Sequence, residues 1–179
     1  MGTTFVTADS EPDAPAGFWI SDCLLELWLR LLALHLPEPV GSDDFQPSKD
    51  IRDGWMLASR GHFVGCIPHG MVQACATTSG RRAVRAAING LVAALGRSEA
   101  PLDAETLNLL GIENGLFTTF VERRQLREVA RAFVDLLDGK IATTASSGPY
   151  HLGLLTSTDG GDHSFRDTLV SEGVQVDAG

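Results

Sequence analysis

Residues 21–36 read SDCLLELWLRLLALHL, and this stretch decides the fold. Its polar residues Asp22, Glu26 and Arg30 recur at every fourth position, so on a helix they form one narrow stripe that we expect to face water. Leucines and Trp28 cover the rest of the surface, and we expect Trp28 to lie in the core. A helix with so little polar surface has to be buried on nearly every side. The pattern predicts either the central helix of the domain or one half of a homodimer interface.

The segments on either side of this helix carry weaker patterns. Ser21 is a suitable helix cap, and Pro37 prevents continuation at the other end. Residues 1–17 mix Thr, Ala, Asp and Pro with little periodicity, which predicts a flexible N-terminal arm in which Phe5 and Val6 could form a short edge strand. Downstream we expect a loop over residues 41–47, a short helix over 48–60 and a short strand over 63–67.

Two further helices are predicted by apolar residues spaced three and four apart, one over residues 80–95 and one over residues 122–138. Between them Asp103 can cap a brief helix, and the pair Asn114-Gly115 favours the tight turn of a small hairpin. Both long helices begin with Arg-Arg-x-x-Arg, at positions 81 and 123. This similarity fits a duplicated unit, and it equally fits two unrelated helices that share an ordinary amphipathic pattern.

Together these segments predict a mainly α protein, with a single helical domain over residues 18–141, about five helices and a possible minor β-hairpin. A chain of 179 residues can bury one sufficient core without metals or disulfides. Beyond residue 141, clusters of Ser, Thr, Gly and Asp predict an extended or partly disordered tail over residues 142–179.

Composition and charge narrow the classes of function. The net charge of −9 is unevenly spread, since residues 1–50 hold nine acids and two bases, residues 51–140 nine acids and eleven bases, and residues 141–179 five acids and one base. An acidic chain without aromatic residues among its arginines is a poor binder of nucleic acid. Charges within residues 18–36 argue against a membrane span. Three cysteines in apolar surroundings fit a reducing compartment, so we expect a cytoplasmic protein.

Four side chains that can bind metal lie close together in sequence: His62, Cys66, His69 and Cys75. Two imidazoles and two thiolates suit tetrahedral zinc, and Cys66 beside a histidine would also suit nucleophilic catalysis. The spacing matches no common zinc motif, and no third residue is recognisable that would orient a catalytic pair. We therefore favour core cysteines beside loop histidines, and we expect neither a metal nor a cofactor. The usual motifs of hydrolases, phosphate loops, dinucleotide sites and zinc proteases do not occur in the chain.

The arginines at the start of the two long helices are unusual because a cation there opposes the helix dipole. They are Arg81, Arg82, Arg123 and Arg124. An anionic ligand bound by all four would compensate for this repulsion. Acidic side chains from the two ends of the protein would do so as well, and we favour this second explanation because exposed charges usually need no ligand.

Since no catalytic set is complete, the leading hypothesis is a non-enzymatic protein that binds a partner protein and neutralises or regulates it. Acidic and aromatic residues collect in the first 50 positions, and aromatic residues anchor interfaces while charges steer association. We expect a basic partner to bind there, at Trp19, Glu38, Asp43, Asp44 and Phe45. A bacterial immunity protein against a basic toxin domain is the concrete form. The alternative is an enzyme or small-anion-binding protein that uses His62, Cys66, His69 and the helix-start arginines.

Overall fold

The computed structural model describes residues 2–10, 15–38, 42–63, 65–110, 117–144 and 151–152, and within these ranges the side chains of 42–47 and 151–152 are left out of the description. In chain order the elements are β1 (Thr3–Thr7), β2 (Gly17–Ser21), α1 (Asp22–His35), α2 (Ser42–Ala58), α3 (Met71–Ala74), α4 (Thr78–Leu95), α5 (Ala104–Leu109), α6 (Arg123–Leu137) and β3 (His151–Leu152). The described part of the chain is mainly helical with a small antiparallel hairpin, so the predicted fold class is confirmed.

The hairpin lies at the N-terminus. Strand β1 pairs antiparallel with β2, from Thr3 opposite Ser21 to Thr7 opposite Gly17, and β3 pairs in parallel with the other edge of β2. Thr4 and Val6 point into the core, so this part of the predicted arm is an ordered strand. The predicted turn Asn114-Gly115 lies outside the described residues, and nearby Val121 forms only an isolated bridge with Leu102.

Helix α1 is the central helix, as one of the two sequence alternatives predicted. Eleven of its fourteen residues are buried, and α2, α4 and the hairpin pack around it. Trp28 is fully buried and contacts the ring of Phe133 at a centroid distance of 5.4 Å. A homodimer through this helix stays a prediction. Leu34, which is 59% exposed, is the large apolar side chain of α1 that would be available for such a contact.

The polar stripe of α1 does not face water, so that expectation was wrong. Asp22, Glu26 and Arg30 are each at most 8% exposed. Residues 65–70 cover the start of the stripe, and the Arg30 guanidinium reaches the Met56 sulfur of α2 at 3.1 Å. Residues 63 and 65–67 do not form the predicted strand; they are an irregular segment fixed by hydrogen bonds to its neighbours.

Helix α2 begins six residues earlier than predicted, at Ser42, so most of the predicted loop over 41–47 is helical. Positions 43 and 44 carry aspartates in its first turn, where acids favour the positive end of the helix dipole. The sequence did not indicate that α2 begins at Ser42, because Pro47 would then lie inside the helix and proline is a poor residue for a helix interior.

The two amphipathic helices are confirmed as α4 and α6. The Thr77 hydroxyl caps α4 by accepting from the Gly80 amide, and the Asp103 carboxylate caps α5 by accepting from the Thr106 amide. Gly139 follows α6 with a φ of +67°, a conformation that glycine adopts readily. Within the described ranges, none of the helices combines the length and the hydrophobicity required to cross a bilayer.

Candidate functional site

The structure does not bring the four predicted metal ligands together. His69 uses both ring nitrogens, since Nε2 lies 3.2 Å from the Phe5 carbonyl oxygen and Nδ1 accepts from the Met71 amide at 3.1 Å. Cys75 is buried at the end of α3, whereas His62 and Cys66 are exposed. In the described part of the chain, no three His, Cys, Asp or Glu residues are grouped as a metal site would require.

The surroundings of Cys75 and His69 do not favour the charged forms of these two side chains, the thiolate and the imidazolium. Burial raises the pKa of the Cys75 thiol, and the nearby Arg81 only partly offsets that effect. Burial also lowers the pKa of His69, although its contact with the Phe5 carbonyl acts in the opposite direction. These two residues therefore act as packing groups, and the alternative enzyme hypothesis gains no support from them.

A buried polar cluster connects β1, α1 and residues 65–70. One carboxylate oxygen of Asp22 accepts from the Thr4 hydroxyl at 2.8 Å, and the other accepts from the Gly65 amide at 2.7 Å. Thr4 in turn accepts from the Ile67 amide at 2.9 Å. Each of these bonds joins segments that are far apart in sequence, so the cluster holds the N-terminal strand and the irregular segment against the central helix.

Glu26 lies one turn along α1 from this cluster. Its pKa is raised to about 7, mainly by burial and also by the neighbouring Asp22 carboxylate, while His62 acts in the opposite direction. The arrangement keeps a carboxyl group close to half-protonated at neutral pH. The raised pKa makes the stability of the fold depend on pH.

The helix-start arginines are compensated by the antiparallel packing of α4 and α6. At one end, Arg81 donates to the Leu137 carbonyl at 3.2 Å and Arg85 pairs with Asp138. At the other end, Arg127 forms a two-pronged pair with Glu99 at 3.0 and 3.1 Å. The N-terminus of each helix therefore lies next to the C-terminal end of the other, where a cation is favoured by the helix dipole.

This packing corrects the prediction of a four-arginine anion site. Arg81 and Arg82 lie at one end of the helix pair, whereas Arg123 and Arg124 lie at the other, roughly 20 Å or more away for helices of this length. The Arg123 side chain donates to the Ala100 carbonyl at 2.6 Å, and Arg82 and Arg124 are exposed. The compensating acids are Glu99 and Asp138, which come from the middle of the chain and not from its acidic ends.

The predicted partner-binding residues divide into two places. Trp19 lies half-buried on the outer face of the hairpin, with its ring 5.3 Å from that of Phe5 in an edge-to-face contact. Glu38 follows the far end of α1, so the length of that helix, about 20 Å, separates the two residues. Positions 43–45 belong to the first turns of α2, and the side chains of Asp43, Asp44 and Phe45 lie outside the described residues.

A cleft of about 410 Å³ opens between α2, α3 and the start of α4. We call it the α2–α3–α4 cleft; it is lined by Asp50, Ile51, Trp55, Gly70, Gln73, Ala74, Thr77 and Gly80. Trp55 is 1% exposed and is fixed by a 3.0 Å hydrogen bond from its indole N–H to the His69 carbonyl. Gly80 is required by close packing, because a Cβ there would lie 2.2 Å from the Ala74 carbonyl oxygen.

Sequence reasoning missed this cleft. Asp50 and Trp55 stand on one predicted helix, five positions apart, but the residues that complete the cleft come from α3 and from the turn before α4. Helix α3 has only four residues, Met71–Ala74, and so short an element has no recognisable periodicity. Comparisons with protein-family models, with curated proteins and with solved structures found no match for this chain.

Proposed function

We propose that this protein is a non-enzymatic binding protein for a basic protein partner, which it neutralises or regulates. A bacterial immunity protein that acts on a basic toxin domain is the concrete form of this proposal. The observation that supports it best is the charge balance of residues 38–53, which hold five acids and only two bases.

Both bases of this segment are paired within the chain. Lys49 pairs with Asp53 one turn along α2, and Arg52 reaches Glu38 at 3.1 Å and the Leu36 carbonyl at 2.9 Å. By composition the segment holds three more acids than bases. A surplus of one sign on one helix is what steers a partner of the opposite sign.

The contacts of the arginines within the chain argue against the alternative of a small-anion-binding protein. Arg81, Arg85, Arg123 and Arg127 all bond to carbonyl or carboxylate oxygens of the chain itself. An anion would have to displace these contacts, and the pairs lie at two opposite ends of α4 and α6. The acidic segment is therefore a better candidate for the binding surface than the arginine pairs are.

Affinity capture with matched charge variants tests the proposal. We expect the wild-type protein to retain a stoichiometric basic protein from a lysate at low salt, and the double variant Asp43→Lys, Asp44→Lys to lose it. The control is Glu105→Lys with Glu128→Lys, which makes the same change in net charge on α5 and α6 and should still retain the partner. Equal capture by both double variants, or a small molecule retained in native mass spectra in place of any protein, would contradict the proposal.

A further inference from the structure

Beyond its packing role, His69 connects three elements at the place where β1, α2 and α3 meet. Its ring Nε2 lies 3.2 Å from the Phe5 carbonyl oxygen of β1, and its ring Nδ1 accepts at 3.1 Å from the amide of Met71, the first residue of α3. Its backbone carbonyl accepts from the Trp55 indole N–H of α2 at 3.0 Å. A displacement of His69 would therefore act on all three elements at once.

The two ring contacts fix the protonation state of this histidine. A backbone amide can only donate, so the bond from Met71 requires a lone pair on Nδ1. A backbone carbonyl can only accept, so the contact with Phe5 requires a proton on Nε2. The neutral ring with its proton on Nε2 satisfies both contacts. The doubly protonated ring cannot, since both of its nitrogens are donors.

Protonation of Nδ1 would set two donors against each other at the start of α3. Met71 is fully buried, so water cannot replace the lost acceptor of its amide while the folded arrangement persists. A buried donor without an acceptor is costly. The start of α3 would therefore have to move away from the ring.

Gly70 provides a hinge between His69 and α3. Its φ is +61°, a left-handed conformation that glycine adopts without strain, and no described atom beyond its chain neighbours lies within 4 Å of the place of a Cβ. At the other end of α3, the Ala74 carbonyl oxygen packs closely against Gly80 of α4. These two residues, Gly70 and Trp55 all line the α2–α3–α4 cleft, so a shift of α3 changes the shape of the cleft.

The surroundings of the ring determine the pH at which it takes up a second proton. Burial lowers the pKa of His69 from its ordinary value of 6.5, and the contact with the Phe5 carbonyl acts in the opposite direction. Strand β1 and helix α3 carry no ionisable side chains. The other neighbouring elements carry Asp22 on α1, Asp50 on α2, His62 and Cys66 between α2 and α3, Cys75 after α3 and Arg81 on α4.

We propose that His69 is a pH-sensitive switch: protonation of its ring breaks the bond from the Met71 amide, moves α3 about Gly70 and changes the shape of the α2–α3–α4 cleft. Above pH 6.5 the ring is neutral and holds α3 against β1. As the pH falls below 6.5, the bond is lost in an increasing fraction of molecules. The switch acts whatever group the cleft receives, so it does not depend on the proposed function.

The test is a titration of the ¹⁵N-labelled full-length protein from pH 8 to pH 4.5, followed by NMR. Long-range ¹H–¹⁵N spectra distinguish a protonated from an unprotonated ring nitrogen, and we expect only Nε2 of His69 to carry a proton at pH 8. Below pH 6.5 the amides of Met71 and Gln73 and the Trp55 indole N–H should shift with the same midpoint as the ring. Protection of the Met71 amide from hydrogen exchange should fall by about tenfold, the loss typical of one hydrogen bond.

His69→Asn separates a switch from a merely structural role. The bond from the Met71 amide joins positions i and i+2, as in an Asx-turn, so an asparagine oxygen can accept it and does not titrate. In this variant α3 should stay in place, and the pH-dependent shifts should vanish. The control is His35→Asn, because the ring of His35 contacts the Leu31 carbonyl at the C-terminal end of α1. It should leave the shifts unchanged.

Glu26 also titrates in this range, so the titration is repeated in Glu26→Gln. There the midpoint at the Met71 amide should remain that of the His69 ring. Four results would each overturn the proposal: a proton on Nδ1 at pH 8, a ring that stays neutral down to pH 4.5, a ring that titrates without shifts of α3 and Trp55, or shifts that persist in His69→Asn.

Discussion

Glu26 is a carboxyl group enclosed by the protein, and its raised pKa makes folding depend on pH. Its pKa rises from 4.5 to about 7 on folding, so the folded state binds this proton more tightly than the unfolded state does. Below pH 4.5 the group is protonated in both states and has no effect. As the pH rises from 4.5 through 7, stability is lost, on the order of 1–2 kcal/mol once solvent screening is counted.

We therefore expect Glu26→Gln to stabilise the protein above pH 7 and to have little effect near pH 4.5. Urea unfolding of both proteins from pH 4.5 to pH 8 measures this, with the difference in unfolding free energy rising through the window and levelling off above pH 7. The difference between the two proteins isolates Glu26 from His69, whose lowered pKa makes stability fall as the pH drops below 6.5. A difference that is constant with pH would show that Glu26 is solvated.

At the scale of single residues, the sequence predicted apolar positions better than polar ones. Trp28 was predicted to lie in the core and does so, because a large aromatic side chain among leucines is usually buried together with them. The stripe of Asp22, Glu26 and Arg30 was misjudged, since helical spacing shows only that the three share a face. What covers that face is decided by residues 65–70 and by α2, which are distant in sequence.

At the scale of elements, the position of α1 makes Trp28 the most informative residue for the core. Trp28→Ala should cost about 3–5 kcal/mol, which is a large part of the stability of an ordinary domain. Its indole N–H has no acceptor among the described residues, so Trp28→Phe removes no hydrogen bond and should cost less. Urea unfolding followed by circular dichroism measures both. Wild-type stability in the alanine variant would mean that α1 is not central.

Long periodic elements could be predicted, and short or irregular ones could not. Helices α1, α4 and α6 each run over fourteen residues or more and repeat their apolar pattern several times. The hairpin of β1 and β2 involves two five-residue strands, and its register depends on contacts with α1 and on the hydrogen bond between His69 and Phe5. Of the candidate site, the acidic part of α2 followed from local composition, whereas the cleft needed the meeting of α2, α3 and α4.

At the scale of the whole molecule, acids exceed bases, and four arginines of the described helices are engaged in contacts within the chain. Arg81 and Arg123 stabilise an antiparallel helix pair, in which each opposes the dipole of its own helix and complements that of the other. Residues 1–50 and 141–179 carry charges of −7 and −4, and the +2 of residues 51–140 brings the net charge to −9. A basic partner would meet an attractive field before contact, and an acidic one a repulsive field.

Association with the proposed basic partner should accordingly slow down as salt is added. The Debye length falls from about 10 Å at 0.1 M salt to about 3 Å at 1 M, which removes attraction at a distance but leaves close contacts largely intact. Stopped-flow measurements should therefore show an association rate that falls with salt and a dissociation rate that changes much less.

The same variants separate a local surface from overall charge. Asp43→Lys with Asp44→Lys should slow association by tenfold or more at 0.1 M salt, whereas Glu105→Lys with Glu128→Lys should slow it only slightly, although both change the net charge by the same amount. Urea unfolding of both pairs checks that a change in association is not caused by a loss of stability. If the two pairs slow association equally, steering depends on the total charge alone and the partner does not approach through α2.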